Sequence, residues 1–147
     1  NSKEQIQIAA DKLDVDNRNR TFLFTGNVKV VQGTTVITSE KLKVWYRDDA
    51  GEQATPQGGN SRIQDIEASG NVVILFDGRT ATSDKARYST DNETLTLTGD
   101  NATVVDGKNT IRGSKITLYR AKDRITVESS PKGRVEAVFF PNSKDAD

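Results

Sequence analysis

Apolar residues in this chain fall at every second position over short runs, and the runs recur. TFLFTGNVKV (21–30) sets Phe22, Phe24, Val28 and Val30 on one side of an extended chain. DIEASGNVVI (65–74) does the same with Ile66, Ala68, Val72 and Ile74. TLTLTGDNATV (94–104) gives Leu95 and Leu97, then slips by one residue to Ala102 and Val104. Period-two alternation is the pattern of a strand with one buried face. No window carries an apolar stripe of period 3.6, so helix signals are nearly absent. Gly26, Gly70 and Gly99 stand inside these runs, where glycine marks a bend or bulge.

A second segment recurs between them. IAADKLDV (8–15), ITSEKLKV (37–44), ATSDKARY (81–88) and IRGSKITL (111–118) align on Lys12, Lys41, Lys85 and Lys115. The apolar positions one and three after each lysine share a face. The one four before it (Ile8, Ile37, Ala81 or Ile111) is out of phase with them. A strand that keeps all three on one side needs a bulge or corner between them. The small residue two before each lysine (Ala10, Ser39, Ser83 or Gly113) suits that corner.

The anchor lysines are 29, 44 and 30 residues apart, so one repeat is about 29 residues. The excess in the middle interval is DDAGEQATPQGGNSR (48–62), a polar, Gly-rich stretch that reads as an inserted flexible loop. Asp77-Gly78 and Asp106-Gly107 read as type I′ hairpin turns, with Gln32-Gly33 in the same place in the first copy. Asn17-Arg18-Asn19 and Asp91-Asn92-Glu93 read as polar turns. These signals predict an all-β protein, one domain over 1–147 with a flexible tail over 142–147. Each repeat supplies two long antiparallel strands, and each strand bends to serve two facing sheets. The stack stays open at both ends, as in one-dimensional repeat arrays.

Composition narrows the function. Lys+Arg and Asp+Glu are 21 each, so the zero net charge argues against nucleic acid as a partner. Only 33% of residues are hydrophobic, which fits a thin, elongated body with little interior per residue. With no cysteine and no histidine, the commonest metal ligands and general base are missing, and no metal or cofactor is implied. Ser39-x-Lys41 and Ser83-x-Lys85 resemble Ser–Lys catalytic pairs, but residues repeated for architecture make poor unique nucleophiles. Asp48, Asp49 and Glu52 read as solvated surface rather than a Ca²⁺ or glycosidase site. No catalytic residue is assigned, and the chain is read as a non-enzyme.

ADKL, GNV, SEKLKVWY, SDKARY and the closing GRVEAVFFP together resemble the LptA/OstA-like family of periplasmic lipopolysaccharide-transport proteins, over residues 4–141. That resemblance implies an open, V-shaped antiparallel β-jelly roll. Its apolar trough would hold the acyl chains of lipid A. Ile8, Phe22, Phe24, Val28, Ile37, Leu42, Val72, Ile74, Tyr88, Leu95, Leu97 and Leu118 are the expected lining. The implied role is carriage of lipopolysaccharide from inner to outer membrane. The implied partners are the jelly-roll domains of inner-membrane LptC and outer-membrane LptD, and further copies of the chain head to tail. Contacts between copies are expected at Ile6, Ile8, Val135 and Phe139. The implied location is the periplasm, with any export signal outside this sequence. The periplasmic domain of LptC, the N-terminal domain of LptD and a purely structural β-repeat remain alternative readings. A β-solenoid enzyme is the remaining rival, and the repeat offers it no unique cluster of Asp, Lys or Arg.

Overall fold

The structure is a computed structural model that describes residues 5–48, 61–130 and 133–141. Its strands are β1 (Ile6–Ala9), β2 (Lys12–Asp16), β3 (Thr21–Gln32), β4 (Thr35–Asp48) and β5 (Ser61–Phe76). They continue as β6 (Arg79–Ser89), β7 (Thr94–Asp106), β8 (Asn109–Tyr119), β9 (Arg124–Glu128) and β10 (Glu136–Val138). A short 3₁₀ turn, Arg120–Lys122, follows β8. Consecutive strands pair antiparallel in the order β1-β3-β4-β5-β6-β7-β8-β10, with β2 also on β3 and β9 also on β8. The sheet is unclosed. Two boundaries differ from the sequence reading of the insertion. Asp48 ends β4 and pairs with Ser61, and Arg62 is already in β5. Residues 49–60 and the tail 142–147 lie outside the described residues.

Every long strand changes register near its middle. The shifts fall between Thr25 and Val28, Thr38 and Lys41, Ser69 and Val72, Thr82 and Lys85, and Thr98 and Ala102. They coincide with the corners expected from the phase change before each lysine and with the mid-strand glycines. The first and last strands are broken outright there, into β1 and β2 and into β9 and β10. The sheet therefore has two halves that share strands. One half carries β1, the other β2.

The corner is locked by a contact that recurs with the repeat. The acid just before the anchor lysine packs on the corner glycine of the next strand. Asn27 Nδ2 donates to Asp11 Oδ2 at 2.9 Å, and Asn71 Nδ2 donates to Glu40 Oε2 at 2.6 Å. Asp84 stands in the same relation to Gly99. In the fourth copy Ser114 takes the acid's place, and its Oγ accepts the Ser130 N–H at 3.1 Å. Gly70 is left-handed (φ +86°), and a Cβ there would lie 2.5 Å from Glu40 Oε1.

The hairpins partly depart from the sequence reading. Asp77 and Gly78 are both left-handed (φ 48° and 75°), as a type I′ turn requires. Asp106 instead pairs with Asn109 as the last strand residue, so the loop is Gly107-Lys108. Only its first residue is left-handed (Gly107, φ 64°), which is the II′ pattern. Gly33-Thr34 repeats that arrangement between Gln32 and Thr35.

Alternation sorts side chains by face. Phe22, Phe24, Val28, Val30, Leu42, Val44, Ala68, Val72, Ile74, Ala81, Leu97, Val104 and Ile116 belong to one buried apolar cluster drawn from both halves. A single layer cannot bury its own face, and no other described element stands over this one. The two halves therefore cover each other, joined along the corners.

Two predictions follow from the corner and the first turn. Gly78→Ala forces alanine into a left-handed turn with nothing within 4 Å of the new Cβ, and should cost about 1 kcal/mol. Gly70→Ala adds overlap with Glu40, and should cost roughly 1–3 kcal/mol more. Urea unfolding of both variants checks the difference, and equal losses would remove the corner contact from the account. In the β2–β3 turn, Asp16 accepts the Asn19 N–H, Asn19 Nδ2–H and Arg18 N–H. These bonds, the Asn19 N–H first, hold its carboxyl below the ordinary value of 3.8. A carboxyl depressed in the fold contributes stability above its unfolded pKa and loses it as pH falls through the folded value. The stability gap between the parent and Asp16→Asn should therefore be present at neutral pH and close on acidification below 3.8.

Candidate functional site

The inner face runs from one free edge of the sheet to the other. The register sets its rows: Leu13, Phe24, Leu42, Ala68, Ala86, Leu97, Ile116 and Val127 face one another across eight strands of one half. In the other half the corresponding row is Ile8, Val30, Ile37, Ile74, Ala81, Val104, Ile111 and Ala137. All sixteen positions are apolar. No carboxylate, amine or imidazole interrupts either row.

The twelve positions expected to line a trough all lie on this face. Phe22, Phe24, Val28, Leu42, Val72, Ile74, Leu95, Leu97 and Leu118 are buried. Ile8, Ile37 and Tyr88 are half-buried and pack against the same cluster. The packing is closer than an open trough implies: Leu42 and Leu97 are 0% exposed. The apolar lining packs on itself. Burial pushes the Tyr88 phenol above its ordinary pKa, partly offset by the Arg120 charge, so the ring stays neutral at physiological pH.

Two inward aromatics escaped the sequence reading. Tyr46 stacks on Phe22 with ring centroids 4.6 Å apart, and its hydroxyl donates to Asn17 Oδ1 at 2.9 Å. Phe76 closes the row at the β5–β6 hairpin. Tyr46 continues the alternation of Leu42 and Val44, and the register shift after Trp45 leaves the extra residue, Gln64, on β5. Ser39 and Ser83 prove architectural: each Oγ donates to the carbonyl of the lysine two residues on, at 2.9 and 3.0 Å. Their protons are committed to the corner. Among the described residues no cluster of three or more Asp or Glu could hold a metal ion. Asp49 and Glu52, and the side chain of Asp48, lie outside the described residues.

The expected contact positions sit at the two free edges. Ile6 and Ile8 of β1 point inward, so that edge offers main chain rather than these side chains. Val135 and Phe139 flank β10 and are exposed, Phe139 at 63%. Leu13 and Val15 on β2 and Ile125 on β9 are exposed at the same edges. The outer face is mostly polar in the half that carries β2, while in the other half it bears an apolar row with Val31, Val36, Leu75 and Val105. In the β2 half Trp45 lies between the Lys43 ammonium (5.0 Å) and the Arg87 guanidinium (4.6 Å), and Arg87 also pairs with Asp65 at 3.2 Å. Among the described residues no helix is long and apolar enough to cross a membrane, which says nothing of membrane β-barrels.

Known proteins carry the same arrangement. Residues 7–124 match the family described as LptA/(LptD N-terminal domain) LPS transport protein. A Rhizobium meliloti (strain 1021) protein of uncharacterised function is 30% identical over 141 residues, covering 96% of this chain and 74% of that protein. The lipopolysaccharide export system protein LptA of Haemophilus influenzae is 28% identical, covering 95% of this chain and 78% of its own. Its Escherichia coli K12 counterpart is 29% identical, covering 95% and 72%. Among solved structures, LptH, the LptA-homologous periplasmic component of the lipopolysaccharide transport device of Pseudomonas aeruginosa, superposes with a TM-score of 0.76. It shares 19% identity, with 95% of this chain and 97% of that one covered. The chain therefore belongs to the family of LptA and the LptD N-terminal domain, proteins of lipopolysaccharide transport rather than enzymes.

Proposed function

We propose that this protein carries lipopolysaccharide across the periplasm, holding the lipid A acyl chains between the two halves of its bent sheet. The observation that carries this reading is the unbroken apolar inner face, which reaches both free edges of an unclosed sheet. Acyl chains bind by apolar burial, about 0.8 kcal/mol per CH₂. Here they would displace side-chain contacts that the two halves make with each other. One apolar contact is exchanged for another, so the halves can part for lipid without a large net penalty. The headgroup stays in water beyond the rim. The half-buried Ile8, Ile37 and Tyr88 form the part of the lining that chains meet first.

The free edges give the second part of the reading. Unpaired strand edges template pairing with another chain. The β1/β2 edge of one copy would meet the β9/β10 edge of another copy, or the corresponding edge of the LptC or LptD jelly-roll domain. Such a heterologous contact does not close, so it extends the apolar face from molecule to molecule.

A photo-cross-linking residue at Leu42 or Leu118 should capture lipopolysaccharide, while one at Lys29 or Thr82, outward on the other half, should not. Equal capture from both faces would move the lipid site off the inner face and favour a purely structural β-repeat. A charge at fully buried Leu42 is expected to unfold the chain. Tyr88→Asp is the better probe, because its half-buried site should keep the fold and lose lipid, with thermal melting measured beside binding. Apparent mass by light scattering should rise with protein concentration. Lysine at exposed Val15 of the edge strand should lower that rise without lowering the melting temperature. A sharp monomer at every concentration would count against edge-to-edge assembly.

A further inference from the structure

The outer face carries a groove that the lipid reading does not use. The cause is the size of the outward side chains. On β7 they are short hydroxyls, Thr94 and Thr96, while longer side chains stand on the flanking strands: Arg87 on β6, and Lys115 and Tyr119 on β8. The 3₁₀ turn closes one end with Lys122, and the hollow between measures about 600 Å³, within the range of small-molecule sites. Its floor is a row set by the register: Arg87, Thr96 and Thr117 face one another across three strands. Thr117 is only 5% exposed although it lies on the side away from the apolar core.

Three cations, Arg87, Lys115 and Lys122, line the groove with one lining carboxylate, Glu128, which stands opposite Lys115 in the register. Arg87 is held by Asp65 at 3.2 Å and by the Trp45 ring, so its position is fixed before any ligand arrives. Lys115 and Lys122 make no ion pair with a described residue. Hydroxyl floor, aromatic wall and cationic rim together suit a sugar ring that bears a negative group. The hydroxyls exchange hydrogen bonds with ring hydroxyls, Tyr119 offers an apolar surface to the ring, and the cations make charge-assisted bonds to phosphate or carboxylate.

We propose that this outer groove binds an anionic saccharide, a sugar carrying phosphate or carboxylate. The proposal stands on the outer face alone and does not require lipid between the half-sheets. Such a ligand could be the headgroup of a glycolipid or a free sugar phosphate.

The test is an NMR titration of the ¹⁵N-labelled chain with four probes. They are a deacylated, phosphorylated lipopolysaccharide oligosaccharide, N-acetylglucosamine 1-phosphate, neutral N-acetylglucosamine and inorganic phosphate. Saturable shifts should centre on amides of Thr94–Thr98 and Lys115–Tyr119 with the first two probes, and be weak with the last two. Binding of the oligosaccharide alone would assign the site to a lipid headgroup, and equal binding of both would assign it to sugar phosphates in general. The double variant Lys115→Gln, Lys122→Gln should weaken binding about tenfold or more, since each charge-assisted bond is worth more than a neutral one. Lys41→Gln, on the outer face but outside the groove, should leave binding unchanged. Three results would overturn the proposal: no saturable shift at the groove, inorganic phosphate binding as well as sugar phosphate, or equal weakening by Lys41→Gln.

Discussion

One layer of β-sheet cannot bury one of its own faces, and the described part of this chain contains nothing else to do it. The fold solves this by bending every long strand at its middle, so that one half of the sheet becomes the cover of the other. Everything else depends on that bend. It sets the register shifts, the left-handed glycines, the split of the first and last strands, and the place of the repeated acid beside the next strand's corner. It also fixes where the apolar surface ends, at two free edges rather than at a sealed wall.

Much of this was legible in the chain. The period-two runs became strands, and the phase change before each anchor lysine became a corner, because side-chain alternation leaves few other ways to keep one face apolar. The partner of each acid was not read, although the signal was present. Asp11 precedes Gly26 and Asp84 precedes Gly99 by 15 residues, and Glu40 precedes Gly70 by 30, the same interval lengthened by the insertion. Asp106-Gly107 misled because Asp-Gly favours a turn in isolation, while pairing to Asn109 kept Asp106 in the ladder. Tyr46 was legible too, since it keeps the period-two phase of Leu42 and Val44; what the alternation could not give is its stacking on Phe22. Local patterns gave the faces; they could not give the tightness with which the two halves close, which is a property of the whole sheet.

The two faces of the same strands do different chemistry. In TLTLT (94–98) the leucines enter the apolar cluster and the threonines face outward. The two inner rows are apolar throughout and carry no charged group. The outer face of that half gathers Trp45, the cations and the hydroxyl rows. The proposed carrier role would use this division, since apolar surface binds acyl chains without recognising them and discrimination must come from polar groups.

The central claim is that lipid enters by parting the two half-sheets. Spin labels on the outer face of each half, at Lys43 and at Thr82, report their separation directly by pulsed electron–electron resonance. The account predicts a longer distance when the protein is loaded with lipopolysaccharide and the original distance when the lipid is removed. A distance unchanged on loading, in a sample shown to carry lipid, would contradict it.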